Sequence, residues 1–221
     1  MEQFYPVGVT LLTILSNSFS NIKEISDKYK LEANVLITPA PYTFSIWGLI
    51  YSLLLYVTFV HHKEILNTQT PFGSIFMLFV FSSILNALWI QTWGKSLELS
   101  SMILIMLAIV LIYITIQLNN SGVDSIIVIA FGIYAAWAFT ASLLNLGTLI
   151  KKNNIFDNNI IKYITVGLLT IVPLFVKNIF TRTYLPIFLT FIWASIGIMV
   201  NGENNIEFIL PILSSIVSLL I

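Results

Sequence analysis

Three short stretches of the chain place aromatic and amide side chains at helical spacing. Phe44, Trp47 and Tyr51 stand at i, i+3 and i+7, and Asn86, Trp89 and Trp93 repeat that spacing. Tyr134, Trp137, Ala141 and Asn145 repeat it again with one further turn. On a helix each set shares one face. The chemistry such faces support is non-covalent. Rings stack on a flat, mostly apolar ligand, and amides fix its polar edges. Taken singly, the same residues also serve packing. Trp47 and Trp93, near helix ends, can anchor at a membrane interface. Asn86 and Asn145 can bond neighbouring helices, at about 0.6 kcal/mol each. Trp89 and Trp137 lie well inside their apolar runs and share a face with an amide, which favours the ligand reading.

Acid–base chemistry has little to work with. The six strongest apolar runs hold no Asp, Glu, Lys or Arg, and His61 and His62 come only at the exit of the second. Hydrolysis or isomerisation needs a positioned acid–base pair, and a proton-coupled pump needs intramembrane carboxylates. No catalytic residue is expected, and the chain reads as a non-enzyme. Adjacent histidines project in different directions on a helix, so no metal site is expected either. There is no cysteine, which removes disulfides, thiolate ligands and thiol nucleophiles. Haem iron would lack a strong axial donor. A tetrapyrrole would therefore be held by stacking and amide hydrogen bonds. No lysine lies inside those runs to form a Schiff base with retinal.

The elements that must hold these faces are membrane helices. Of 221 residues, 57% are hydrophobic and 9% charged, against about 25% charged in a soluble domain. Mean hydropathy is +0.93. Ten basic and ten acidic residues cancel, so nucleic acid is not an expected partner; membrane lipid is. The first segment carries Glu2, no Lys or Arg and no small-residue cleavage site, unlike a signal peptide. A span takes about 20 apolar residues. Uncharged runs predict spans at 4–20, 43–61, 73–93, 99–118, 125–149 and 183–200. Two shorter segments, Ile160–Lys177 and Ile206–Ile221, bring the count to seven or eight. Lys162 and Lys177 are expected to snorkel to the two interfaces. LSSMILIMLAIVLIYITIQL is apolar on every side, which excludes barrel strands. With eight spans, Lys23, Lys28, Lys30, Lys95, Lys151, Lys152 and Lys162 fall on one side and Lys63, Lys177 and Arg182 on the other. That asymmetry puts the first loop on the cytoplasmic side. Pro173, Pro186 and Pro211 are expected to kink or start the last helices.

Three motifs carry a resemblance. PAPYTFSIWGLIY (Pro39–Tyr51), LNALW (Leu85–Trp89) and YAAWAFTASLLN (Tyr134–Asn145) fall in order on the second, third and fifth spans. Together the chain resembles the translocator protein family, the tryptophan-rich sensory proteins. That family has a Pro-Pro-x-Trp-x-Phe-Gly-Pro-x-Trp-x-x-x-Tyr lead-in to its second helix, Leu-Asn-x-x-Trp in its third, and Tyr-x-x-Trp with a later Asn in its fifth. The resemblance implies an all-α, polytopic transmembrane bundle. Residues 1–150 would form a five-helix core, and 151–221 a C-terminal transmembrane extension of two or three helices. It implies a receptor- or sensor-like protein binding a hydrophobic small molecule, a porphyrin or other tetrapyrrole. The site would be Phe44, Trp47, Tyr51, Asn86, Trp89, Trp93, Tyr134, Trp137 and Asn145. A transporter or facilitator of a small amphiphile is the alternative, and an enzyme acting on a tetrapyrrole a third reading. The loop Asn21–Ala33 mixes charge signs and reads as a solvated connector. In the family the equivalent loop lids the pocket, which makes Tyr29 and Leu31 candidates for that second role, and the chain would pair as a homodimer. The sequence departs from the family at Tyr42, where Trp is usual, and at Ser45, which replaces Gly-Pro. After Asn145, LGTLIKKNN lacks the tyrosine of the sterol-linked pattern, which argues against cholesterol.

Overall fold

The computed structural model describes residues 5–18, 36–181, 183–201 and 206–220, and every regular element among them is helical. In chain order these are α1 (Tyr5–Ser18), α2 (Ile46–Val60), the short α3 (His62–Leu66) and α4 (Pro71–Ser74), α5 (Phe76–Trp93) and α6 (Leu97–Asn120). Then follow α7 (Ser125–Lys152), α8 (Asn158–Ile179), α9 (Tyr184–Asn201) and α10 (Ile209–Leu220). Single 3-10 turns at Pro41–Ser45 and Ile206–Phe208 lead into α2 and α10. All eight expected segments are therefore helical. Six are long and apolar enough to cross a bilayer: Pro41–Val60 and α5 to α9. Helices α1 and α10, with 14 and 12 residues, are shorter. The loop Asn21–Ala33, read as a connector with Tyr29 and Leu31 as lid candidates, lies outside the described residues.

Local chemistry sets the helix ends. Ser96 accepts from the Leu99 amide at 3.2 Å to start α6. Asp157 accepts from the amides of Asn159 and Ile160, at 2.8 and 3.0 Å, to start α8. Each satisfies amides that have no partner within the helix. Gly122, at φ +67°, turns the chain between α6 and α7 in a conformation that suits glycine. Lys151 and Lys152 end α7 where the helix dipole favours cations. Pro186 and Pro211 sit in the first turns of α9 and α10, while Pro173 lies inside α8.

The chain divides into two compact units, one of residues 1–20 and 45–138, the other of 21–44 and 139–221. In the first, α1 packs on α2 and α5, and α5 packs on α6. Phe131 of α7 is buried edge-on against Phe72 and Phe79, at 5.7 and 5.5 Å. Gln91 of α5 donates to the Ser16 carbonyl of α1 at 3.2 Å.

In the second unit α8, α9 and α10 pack together, and α9 grips the extended segment ahead of the 3-10 turn. The Ala40 amide donates to the Gly197 carbonyl at 2.8 Å. Trp193 Nε1 donates to the Thr43 carbonyl at 2.9 Å, and Asn201 Nδ2 to the Thr38 carbonyl at 3.0 Å. Trp193, Gly197 and Asn201 are four residues apart, so one helix face makes all three bonds.

One expectation is corrected here. Lys162 does not snorkel: it is 4% exposed, and its Nζ donates to Glu207 Oε1 at 2.8 Å. A buried ammonium is costly unless paired, and the turn before α10 supplies the carboxylate. The Lys162 hydrogen bond, chiefly, holds the Glu207 carboxyl below its ordinary value. Lys177 lies over the Tyr184 ring, 5.7 Å from its centre.

Candidate functional site

Helix α2 brings Trp47 and Tyr51 to the interior of the first unit. They are one turn apart, and their rings stack with centroids at 5.4 Å and planes 23° apart. Phe44 comes before the α-helix. It sits half-buried on the 3-10 turn, where the Thr43 amide bonds back to the Ala40 carbonyl at 2.9 Å, and it belongs to the second unit. The α-helix begins only at Ile46, because Pro39 and Pro41 favour a tighter, extended approach.

Helices α5 and α7 complete an aromatic cluster around Trp47. Its centroid lies 5.8 Å from Trp89, 5.8 Å from Tyr134 and 6.3 Å from Trp137, the last two edge-on. Trp93 stacks on Trp89 at 5.5 Å. All but Tyr51 are buried, Trp137 and Tyr134 to 1% exposure. Six expected ring residues on three separate helices thus meet in one place.

A line of hydrogen bonds runs beside the rings. Asn86, fully buried on the face of Trp89 and Trp93, donates from Nδ2 to the Tyr134 hydroxyl at 2.7 Å. Asn17 of α1 donates to Asn86 Oδ1 and to the Tyr51 hydroxyl. Asn17 was absent from the expected site, yet it joins α2 to α5. The signal available was an amide closing the apolar run TLLTILSN, masked by the serines on either side. Beside this line, Asn17 Oδ1 and Trp89 Nε1 are buried with no hydrogen-bond partner among the described residues. Asn145 and Ala141 are buried on the second part of α7 and belong to the second unit.

The chain matches the TSPO-like protein family over residues 4–221, almost its whole length. It belongs to that family. No match was found among curated proteins or among solved structures. Membership, with six helices able to cross a bilayer, makes this TSPO-like protein an integral, multi-pass membrane protein. The matched region includes α8, α9 and α10.

In the TSPO-like protein the rings pack directly on one another, stacked, tilted or edge-on. A planar ligand placed between two rings needs about 3.5 Å on each side, or about 7 Å in all. Trp47 and Tyr51 are 5.4 Å apart. A ligand enters the cluster only if a ring swings aside, and Trp47, in contact with four other rings, is the one whose movement opens most surface.

Proposed function

We propose that this TSPO-like protein binds a flat hydrophobic small molecule of the tetrapyrrole type within the first unit, without chemically altering it. The observation that carries the reading is the hydrogen-bonded line Asn17–Asn86–Tyr134, with Tyr51, set against the rings of Trp47, Trp89 and Trp137. Packing alone is served by Leu and Ile. A helix bundle that brings two amides and two phenols together gains little stability from them, so a ligand with polar edges is the better reason for their presence. The rings supply stacking surface, and the amides and phenols supply orientation. Nothing in this arrangement calls for a catalytic acid or base.

Quenching of tryptophan fluorescence by protoporphyrin tests the reading. Saturable quenching in the purified protein, weakened in Trp137→Phe and Asn86→Ala, is the expected result. Quenching that is absent, or unchanged in both variants, would remove the site. Flux of the same compound into proteoliposomes would favour a facilitator, and product formation an enzyme.

A further inference from the structure

Trp89 Nε1 is a hydrogen-bond donor and nothing else. Its side chain is 3% exposed, and the nitrogen has no acceptor among the described residues. Asn86 and Trp89, at i and i+3 on α5, stand on adjoining turns with about 5–6 Å between Cβ atoms. The Asn17 amide, whose Oδ1 is likewise buried and unsatisfied, touches Asn86. One edge of a small ligand can therefore meet both groups. The hydrogen-bonding side chains of the cluster are two amides, two phenols and four indoles, and none carries a positive charge.

We infer that the edge of the ligand buried against Trp89 is an uncharged carbonyl with an N–H beside it, the pairing a lactam presents. The inference rests on the proposed ligand site and narrows the class of compound it takes. A carboxylate meeting Trp89 would be desolvated with no cation to balance it, at a cost a neutral carbonyl avoids. The carbonyl accepts from Trp89 Nε1, and the neighbouring N–H donates to Asn17 Oδ1. Turning the Asn17 and Asn86 amides over together would offer a donor at Asn17 instead. Trp89 cannot reverse, so it fixes the requirement for an acceptor. Among tetrapyrroles, a closed macrocycle with alkyl substituents has no such edge, whereas an opened one has a lactam at each end.

The test compares etiobiliverdin with etioporphyrin, an opened and a closed tetrapyrrole that both lack carboxylates, by ligand absorbance and circular dichroism. Binding of etiobiliverdin about tenfold tighter is expected. In Trp89→Phe, which keeps a ring and loses the donor, that preference should fall by about three- to tenfold, the worth of one hydrogen bond. Etioporphyrin loses only ring area in that variant, so its affinity should fall less than that of etiobiliverdin. Equal affinities in the wild-type protein would overturn the inference and leave the ligand site standing, as would binding of protoporphyrin diacid alone. If none of the three compounds binds, the site itself falls. The wild-type comparison decides the matter even if Trp89→Phe does not fold.

Discussion

Replacing Gly197 with alanine is the sharpest test of how α9 holds the segment before the 3-10 turn. An alanine Cβ there would stand 2.1 Å from Thr43 Oγ1, 2.7 Å from its Cγ2 and 2.9 Å from its Cβ. Rotating the threonine moves the first two atoms but not the third, so the backbone itself must retreat. Retreat strains the bonds from Ala40 to Gly197, Trp193 to Thr43 and Asn201 to Thr38. Overpacking costs about 1–3 kcal/mol, and each weakened bond about 0.5–1.5 kcal/mol. Alanine returns about 1 kcal/mol of helix propensity. The balance is a loss of about 1.5–6.5 kcal/mol, or roughly 3–26 °C in melting temperature. Gly167→Ala in α8 is the control, because no atom lies within 4 Å of its added Cβ; it should be neutral or stabilising. Melting in detergent, followed by intrinsic fluorescence, compares them. Adding Thr43→Ala to Gly197→Ala should recover part of the loss. If Gly197→Ala melts with Gly167→Ala, or the two substitutions simply add, the close contact is not what holds this segment.

Other outcomes follow from the same geometry. Gly147→Ala meets Ile37 Cδ1 at 2.6 Å and Ile161 Cγ2 at 2.9 Å, both side-chain ends, so its cost should fall between those two variants in the same melt. Asn86→Leu keeps the volume but leaves the Tyr134 hydroxyl and the Asn17 amide short of a partner, a loss of about 1–3 kcal/mol. Combined with Tyr134→Phe it should cost less than the two single changes together, as a double-mutant cycle would show. Glu207 has a lowered carboxyl value when folded. Its contribution should therefore be full above the ordinary glutamate range and fade as pH falls through the lowered value. The melting difference between wild type and Glu207→Gln should shrink over that acid interval; a constant difference would mean the ion pair does not couple to folding.

The stripes on α2, α5 and α7 were legible because a helical period concentrates side chains on one face, and large rings at that period leave few other uses. Trp47, Trp89 and Trp137 accordingly meet where the spacing said they would. Phe44 stands on a 3-10 turn, since two prolines delay the α-helix past it, and a count of spacing assumes the helix has already begun. The grip of α9 was invisible for another reason. Its acceptors are backbone carbonyls of Thr38, Thr43 and Gly197, which any residue could supply. Lys162 and Glu207 are 45 positions apart, and their pairing depends on α8 and α10 lying side by side, which no local pattern encodes.

Of the five tryptophans, four share the cluster in the first unit, and Trp193 alone reports on the second, hydrogen-bonded to Thr43. Indoles 5.5 to 6.3 Å apart exchange excitation energy faster than they emit it. The cluster therefore behaves as one antenna, and an absorber that touches any of its rings darkens all four. Replacing Trp193 with Phe leaves only the cluster's emission, so comparing the two spectra separates events at the rings from changes in the helix that holds the proline segment.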